Sequence, residues 1–258
     1  MSVIKVNNIT NRDGTSGPVI AGIVTVSSSS HFVVPTGHTG QRTGLAPDPY
    51  EEFLVLALPF NSESRFTDTS PKGKGDPSII GNTNISTAQS KYYDSSTAFD
   101  GTGDYLTFAG SSDFAFGTEN FTIEFWIYSL EGKIGSQFIN TNNSSGEGSV
   151  IIGSNGSNQL EYYNNATRIN DTTSFGTNAW IHVALCRSSG TSRLFKNGTQ
   201  VGSNYTDTIN CLSTNTLLIA VRHDNSTYTI NGYLQDLRIY KGVAKYTSNF
   251  TPPNQIAI

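Results

Sequence analysis

Every second residue over 121–128, F-T-I-E-F-W-I-Y, is a Phe or an Ile. A period of two over this length predicts a β-strand that packs one face in a core. Four large apolar residues share the face expected to be buried: Phe121, Ile123, Phe125 and Ile127. The opposite face carries Thr122, Glu124, Trp126 and Tyr128.

Other short apolar runs follow along the chain, separated by Gly, Asn and Ser turns. Phe53–Leu58 and Trp180–Arg187 read as strands, and Asn197-Gly198 is a strong hairpin signal. The polar stretch 62–97, rich in Pro and Gly, predicts a surface excursion with a short strand at Lys91–Tyr93. Ten or more short strands without a convincing helix predict an all-β fold, a jelly-roll sandwich of two sheets.

The chain is expected to divide into two parts. Residues 47–258 form the predicted sandwich domain, and residues 1–46 a small N-terminal β unit with too few apolar residues for its own core. We expect the strands of this unit to be completed by other chains, because their apolar surface would otherwise be exposed. The residues at this predicted interface are Val19, Ile20, Ile23, Val24, Val26, Phe32 and Val34.

Charge and hydropathy narrow the possible partners. Charged residues make up 14% of the chain, the net charge is -4, and no basic patch stands out, so a nucleic-acid partner is not expected. The N-terminus has no apolar signal region and no segment is long enough for membrane insertion. We therefore expect synthesis and folding in a cytosol.

Cys186 lies in an apolar strand and reads as a buried thiol, although a disulfide with Cys211 remains the alternative.

Five segments resemble the concanavalin A-like/laminin G superfamily, in the branch that contains pentraxin-like modules. They occur in the order of that family: 98–108, 121–128, 180–187, 193–202 and 232–240. The resemblance implies the same two-sheet sandwich over most of residues 52–252.

The N-terminal unit resembles the leader of virion structural proteins of tailed phages that infect marine bacteria, on the segments I-T-N-R-D-G-T-S-G-P-V-I-A-G-I-V-T-V and H-F-V-V-P-T-G. The ending K-Y-T-S-N-F-T-P-P resembles the same group. This implies a virion protein assembled in the host cytoplasm, with tail or capsid proteins as partners. By analogy with phage fibres it is expected to be a homo-oligomer, a trimer.

An enzyme is not expected. Glycosidases on this sandwich carry two catalytic carboxylates on one strand in an E-x-D-x-(x)-E pattern, which is missing here. Glu124 stands alone between apolar neighbours, and no G-x-S-x-G, H-E-x-x-H or P-loop motif appears. No cofactor is expected. Calcium is the one open alternative, because members of the superfamily often bind it, and Asp100 and Asp104 flank a glycine turn. Asp beside Gly is also ordinary turn chemistry, and the clustered carboxylates of the pentraxin calcium loop are missing.

Carbohydrate binding needs an exposed aromatic platform with polar side chains around it. The candidates are Trp126 and Tyr128 on the polar face of the central strand, and the adjacent Tyr162 and Tyr163. Packing of Trp126 beneath a loop is the alternative for that residue.

The sequence thus predicts a non-enzymatic virion protein that docks through residues 1–46 and displays its sandwich outward. It would act as a tail fibre adhesin for a host surface polysaccharide, or alternatively as a capsid decoration protein. A stand-alone lectin or glycan-active enzyme is a further alternative.

Overall fold

The computed structural model describes residues 48–132, 135–212 and 215–253, with the backbone alone at 225–227. The chain divides into two units, Met1–Gly44 and Leu45–Ile258, and every described residue belongs to the second. The predicted interface residues of the N-terminal unit lie outside the described part, so that prediction stays untested.

The described residues form two antiparallel sheets and a separate hairpin, which confirms the predicted all-β sandwich. The strands are β1 (Leu54–Leu58), β2 (Ser78–Ile80), β3 (Asn84–Ser86), β4 (Ser96–Asp100), β5 (Tyr105–Phe108), β6 (Phe121–Ser129), β7 (Gln137–Asn140), β8 (Ile151–Ser154), β9 (Leu160–Tyr163), β10 (Thr167–Asn170), β11 (Trp180–Ser188), β12 (Thr191–Lys196), β13 (Thr199–Thr206), β14 (Leu217–Ile219), β15 (Val221–Arg222), β16 (Asn225–Thr229) and β17 (Asn231–Lys241). Two 3-10 turns, Glu51–Phe53 and Ser112–Phe114, are the helical elements of this part of the chain. None of its helices could span a membrane.

Sheet A has the order β13-β12-β11-β6-β17-β4-β3, and β1 also pairs with β17. Sheet B has the order β10-β9-β8-β7-β14-β5-β2, and the hairpin β15-β16 stands apart. Strand β6 therefore lies inside sheet A, between β11 and β17.

The core lies between the two sheets. The four apolar side chains of β6 predicted to be buried are fully buried, as expected from their alternation. The Phe125 ring meets Phe138 of sheet B edge-on, with the ring centroids 6.2 Å apart. Both cysteines are buried free thiols, so the disulfide alternative is not what the structure shows.

The polar stretch 62–97 differs from its prediction. The strand expected at Lys91–Tyr93 is a series of bends, while β2 and β3 lie elsewhere in the stretch. These strands have three residues each and pair at the edges of the two sheets. So short an edge strand carries no detectable hydrophobic period.

Part of the outer face of sheet A is covered by the segment that follows β17, residues 242–253. Phe250 N donates to Gly198 O over 2.9 Å, and Asn249 Oδ1 accepts from Gln200 N over 2.9 Å. The ring of Phe250 packs against Phe195 with the centroids 5.3 Å apart. We call residues 242–253 the C-terminal strap. The outer face of sheet B has no comparable cover from the described residues and forms a groove.

Candidate functional site

The groove is built by the strand alternation of sheet B. In β9, Leu160 and Tyr162 point into the core, whereas Glu161 and Tyr163 are half-exposed on the outer face. Glu161 is paired with Gly153 of β8, and Gly153 with Gln137 of β7. One row across three strands thus has a carboxylate at one end, an amide at the other and no side chain between them.

Gly153 lies in the middle of this row, between Glu161 and Gln137. The two side chains that flank it are about 10 Å apart, two strand spacings. The backbone of β7 also comes so close that a Cβ at Gly153 would overlap the carbonyl oxygen of Ser136. The groove, which Glu161, Gln137 and Tyr163 line, has a volume of about 450 Å³, within the usual range for a small-molecule site.

One wall of the groove is the hairpin β15-β16. Arg222 Nε lies 2.8 Å from Asp224 Oδ1, and the guanidinium lies over the ring of Tyr228 at 4.9 Å. The backbone N–H of His223 donates to Gln137 Oε1 over 3.2 Å, which ties the turn of the hairpin to β7. The wall therefore offers aromatic and polar groups whose own charges are already paired.

Glu161 is the carboxylate of the groove that is not paired with a described cation. Its Oε2 accepts a hydrogen bond from Thr167 Oγ1 over 2.9 Å. Burial raises the pKa of Glu161 above its ordinary value, and the hydrogen bond from Thr167 opposes that shift only in part. An acceptor poised in this way suits a neutral donor such as a hydroxyl group.

The structure separates the four predicted glycan-binding aromatic residues. Tyr163 lines the groove. Tyr162 is fully buried, and its hydroxyl donates to Asp207 Oδ2 over 2.9 Å, so its ring is not offered to a ligand. Trp126 is also buried, with the ring of Tyr92 packed edge-on against it. This is the packing beneath a loop that the sequence analysis gives as the alternative for Trp126. Tyr128 is half-exposed on sheet A, away from the groove.

Asp100 and Asp104, the calcium candidates, hold a turn together. Asp104 is buried and accepts from the backbone N–H groups of Asp100 at 2.8 Å and Asn82 at 2.5 Å. Asp100 accepts from the N–H of Thr102 over 2.7 Å. These contacts are those of an ordinary Asp–Gly turn, which the sequence analysis gives as the alternative to calcium binding. Across residues 48–132, 135–212 and 215–253, no group of three His, Cys, Asp or Glu side chains could hold a metal ion.

Sequence reasoning missed a buried polar cluster on sheet A. Glu124, which looked isolated, contacts Lys245 Nζ at 2.5 Å, Tyr246 Oη at 2.7 Å and His182 Nε2 at 3.4 Å. Lys245 and Tyr246 belong to the C-terminal strap, more than a hundred residues along the chain. Burial would raise the pKa of Glu124, but Lys245 and His182 hold it well below its ordinary value. The cluster fastens the strap to the sheet and is closed to ligands.

The comparisons with known proteins agree with this fold. Domain 4 of AbnA, an extracellular arabinanase from Geobacillus stearothermophilus in complex with arabinotriose, aligns with a TM-score of 0.60 and 13% identity, covering 74% of this chain and 94% of that one. The binding domain of Paraclostridial Mosquitocidal Protein 1 aligns with a TM-score of 0.61 and 15% identity, covering 75% of this chain and 50% of the other. The binding domain of botulinum neurotoxin serotype D aligns with a TM-score of 0.55 and 16% identity, covering 76% of this chain and 50% of the other. This chain thus spans about half of each toxin domain.

At these identities the solved structures show a shared fold. No curated protein sequence matches the chain. The family itself is shown by a family model that matches residues 100–245, more than half of the chain. The chain belongs to the concanavalin A-like lectin/glucanases superfamily.

Proposed function

We propose that the sandwich is a carbohydrate-binding domain and that the groove of sheet B is its binding site. The observation that carries this proposal is the row Glu161–Gly153–Gln137, with the rings of Tyr163 and Tyr228 nearby. A sugar ring has apolar C–H faces that pack on aromatic side chains and hydroxyl groups that bond to carboxylates and amides. The groove supplies both kinds of contact around an open floor.

The groove favours a neutral sugar. Its cation, Arg222, is paired with Asp224, and Glu161 would repel an acidic group. Arabinotriose, the ligand in the arabinanase domain, is a neutral oligosaccharide, and that domain shares this fold.

We propose further that the domain binds without cleaving. Glycoside hydrolysis ordinarily needs a pair of carboxyl groups flanking the bond. Among the described residues the groove has two, and one of them, Asp224, forms an ion pair with Arg222 at 2.8 Å. Glu161, whose pKa is raised, is left without a carboxylate partner for that chemistry. Binding also requires no cofactor on this proposal.

At the level of the whole protein, we propose a virion structural protein whose sandwich is displayed outward as a tail adhesin. The resemblance of residues 1–46 to phage virion leaders supports it. The toxin domains of the same fold, named as binding domains, are a parallel for a sandwich that attaches a larger assembly to its target. The partners would be other virion proteins and a host surface polysaccharide. Capsid decoration is the second placement on the particle.

Glycan binding is tested by array screening followed by calorimetry on the full chain. Glu161→Gln and Tyr163→Ala should each weaken binding at least tenfold, because each removes a groove contact. Glu51→Gln, an exposed glutamate on the first 3-10 turn, is the matched control and should bind as the wild type does. Unchanged binding by both groove variants would refute the site, and release of reducing sugar would refute the non-enzymatic proposal.

Placement is tested on purified particles by electron microscopy with a label on this protein. A tail adhesin should be found at the tail in tens of copies or fewer, whereas hundreds of copies on the head would indicate capsid decoration. Deletion of residues 1–46 should abolish incorporation. A truncated protein that still joins particles would contradict docking through this unit.

A further inference from the structure

A row of three aromatic rings crosses sheet A on its outer face. Tyr128 of β6 is paired with Trp180 of β11 on one side and with Tyr233 of β17 on the other. The ring centroids are 5.7 Å apart for Tyr128 and Trp180, and 6.0 Å apart for Tyr128 and Tyr233. All three side chains are half-exposed, so the row is open to a ligand. We call these three residues the aromatic row.

The aromatic row ends in a small residue and an amide. Ala98 of β4 is paired with Tyr233, and Asn84 of β3 is paired with Ala98. Asn84 is exposed, and its amide donates to Asn82 O over 2.8 Å. Asn84 therefore lies about two strand spacings from Tyr233, with a small side chain between them.

The neighbouring row on the same face is covered, which shows that the opening is local. Trp126 lies beneath Lys91, whose Nζ is 4.2 Å from the ring centroid. The N–H groups of Lys91 and Tyr92 both donate to Gln235 Oε1 over 2.9 Å, which holds this segment down on the sheet. Tyr128 of the aromatic row lies two residues along β6 from Trp126, outside the part of the sheet that Lys91 and Tyr92 cover.

Trp180 contributes its half-exposed ring to the row. Its indole Nε1 is buried and has no acceptor among the described residues, so this donor is out of reach of a ligand on the surface.

The size of the row favours a small ligand over a protein. An aromatic side chain carries about 150–250 Å² of surface, so three partly exposed rings offer roughly 200 Å² together. A stable protein interface buries about 800 Å² on each partner. The row itself also contains no charged residue, which fits a neutral ligand.

From these observations we infer that the aromatic row is a second carbohydrate-binding site, which takes a neutral oligosaccharide. It lies on sheet A, whereas the proposed groove lies on sheet B, so the two sites share no residue. The inference extends the ligand class of the proposed function but rests on its own geometry. A domain with two sites can hold two sugar chains, or two points of one chain, with a gain in avidity.

The tryptophans allow the two sites to be distinguished. The chain has two of them, Trp126 and Trp180, and neither lines the groove. Trp126→Phe leaves Trp180 as the single indole reporter. The experiment measures iodide quenching of its fluorescence with cellopentaose, xylopentaose and mannopentaose at millimolar concentration. At least one sugar should shield Trp180 from iodide.

Further variants assign any shielding to the row. In the Trp126→Phe background, Tyr233→Ala should raise the sugar concentration needed for half-maximal shielding at least fivefold, whereas Tyr233→Phe should restore it. Tyr105→Ala, a half-exposed tyrosine on β5, is the matched control and should change nothing. Circular dichroism on each variant separates loss of binding from loss of fold.

The two groove substitutions, Glu161→Gln and Tyr163→Ala, are then combined in the same background. If the sugar still shields Trp180 in this variant, the aromatic row is supported, whether or not the groove binds a sugar. The inference is overturned if none of the three sugars shields Trp180, or if the two groove substitutions abolish the shielding. A further outcome is calorimetric binding that the groove variants abolish, while the fluorescence of Trp180 does not respond to any sugar. That result would support the proposed function and refute the second site.

Discussion

Replacing Lys245 by methionine tests whether the C-terminal strap is fastened by its charge. The Lys245 ammonium lies 2.5 Å from Glu124 Oε1 and 4.4 Å from the centroid of the Tyr240 ring. Methionine keeps most of the side-chain length and removes the charge. Glu124 would then remain buried with the Tyr246 hydroxyl and His182 as its remaining described partners.

The expected loss is large because a buried carboxylate would lose its cation. Removing one partner of a buried ion pair destabilises a protein by about 3–5 kcal/mol. The double variant Glu124→Leu with Lys245→Met removes both charges and keeps apolar volume, and such replacements are often close to neutral. The double variant should therefore be more stable than Lys245→Met alone, with a coupling free energy of several kcal/mol.

The assay is urea unfolding of the full chain, followed by circular dichroism and by tryptophan fluorescence at pH 7 and at lower pH. Because the pKa of Glu124 in the folded protein is below its ordinary value of 4.5, the carboxylate stabilises the fold at neutral pH. This stabilisation should begin to fall as the pH drops below about 4.5. Glu124→Gln should unfold with a weaker dependence on pH over that range.

Two results would refute the reasoning. One is a loss of less than about 1 kcal/mol for Lys245→Met, the magnitude of an exposed ion pair. The other is a double variant as unstable as the single one, which would show that Lys245 acts through packing alone.

Three other perturbations have defined outcomes. Phe125→Ala should lower the free energy of unfolding by about 3–5 kcal/mol in the same urea assay, because the ring is fully buried between the sheets. Gly198→Ala should free the end of the C-terminal strap, since its Cβ would overlap the Phe250 carbonyl oxygen at a positive φ of 78°; hydrogen exchange at the Phe250 amide would show it. Glycan affinity should decline as the pH approaches the raised pKa of Glu161 from above, because protonation removes an acceptor, and calorimetry on Glu161→Gln should lack this dependence.

The sequence predicts those parts of the fold that are encoded locally. The alternation in β6 identifies its buried face, and Asn197-Gly198 marks a two-residue turn with φ of 51° and 78°, which few other residue pairs adopt easily. The edge strands β2 and β3 are too short to show a period. The strap, residues 242–253, shows no period either, because its contacts come from strands distant in sequence.

The candidate site was only partly predictable. Tyr162 and Tyr163 had to point in opposite directions, but a sequence does not say which of them faces the core. The row in which Gly153 lies between Glu161 and Gln137 requires the pairing of three strands. A lone glycine in a strand signals close approach of another backbone, and it was the one local hint available. Glu124 looked isolated because Lys245 is far away along the chain.

The two cysteines provide reporters of local opening. Cys186 packs beside Phe195 in a cluster completed by Tyr246 and Phe250 of the strap, whereas Cys211 lies in the core between the sheets. Burial raises the pKa of the Cys186 thiol to about 12 and that of Cys211 to about 11, so neither thiol reacts readily in the folded state. Under native conditions a thiol reagent should therefore modify Cys186 through states in which the strap is detached, and Cys211 only when the sandwich itself opens.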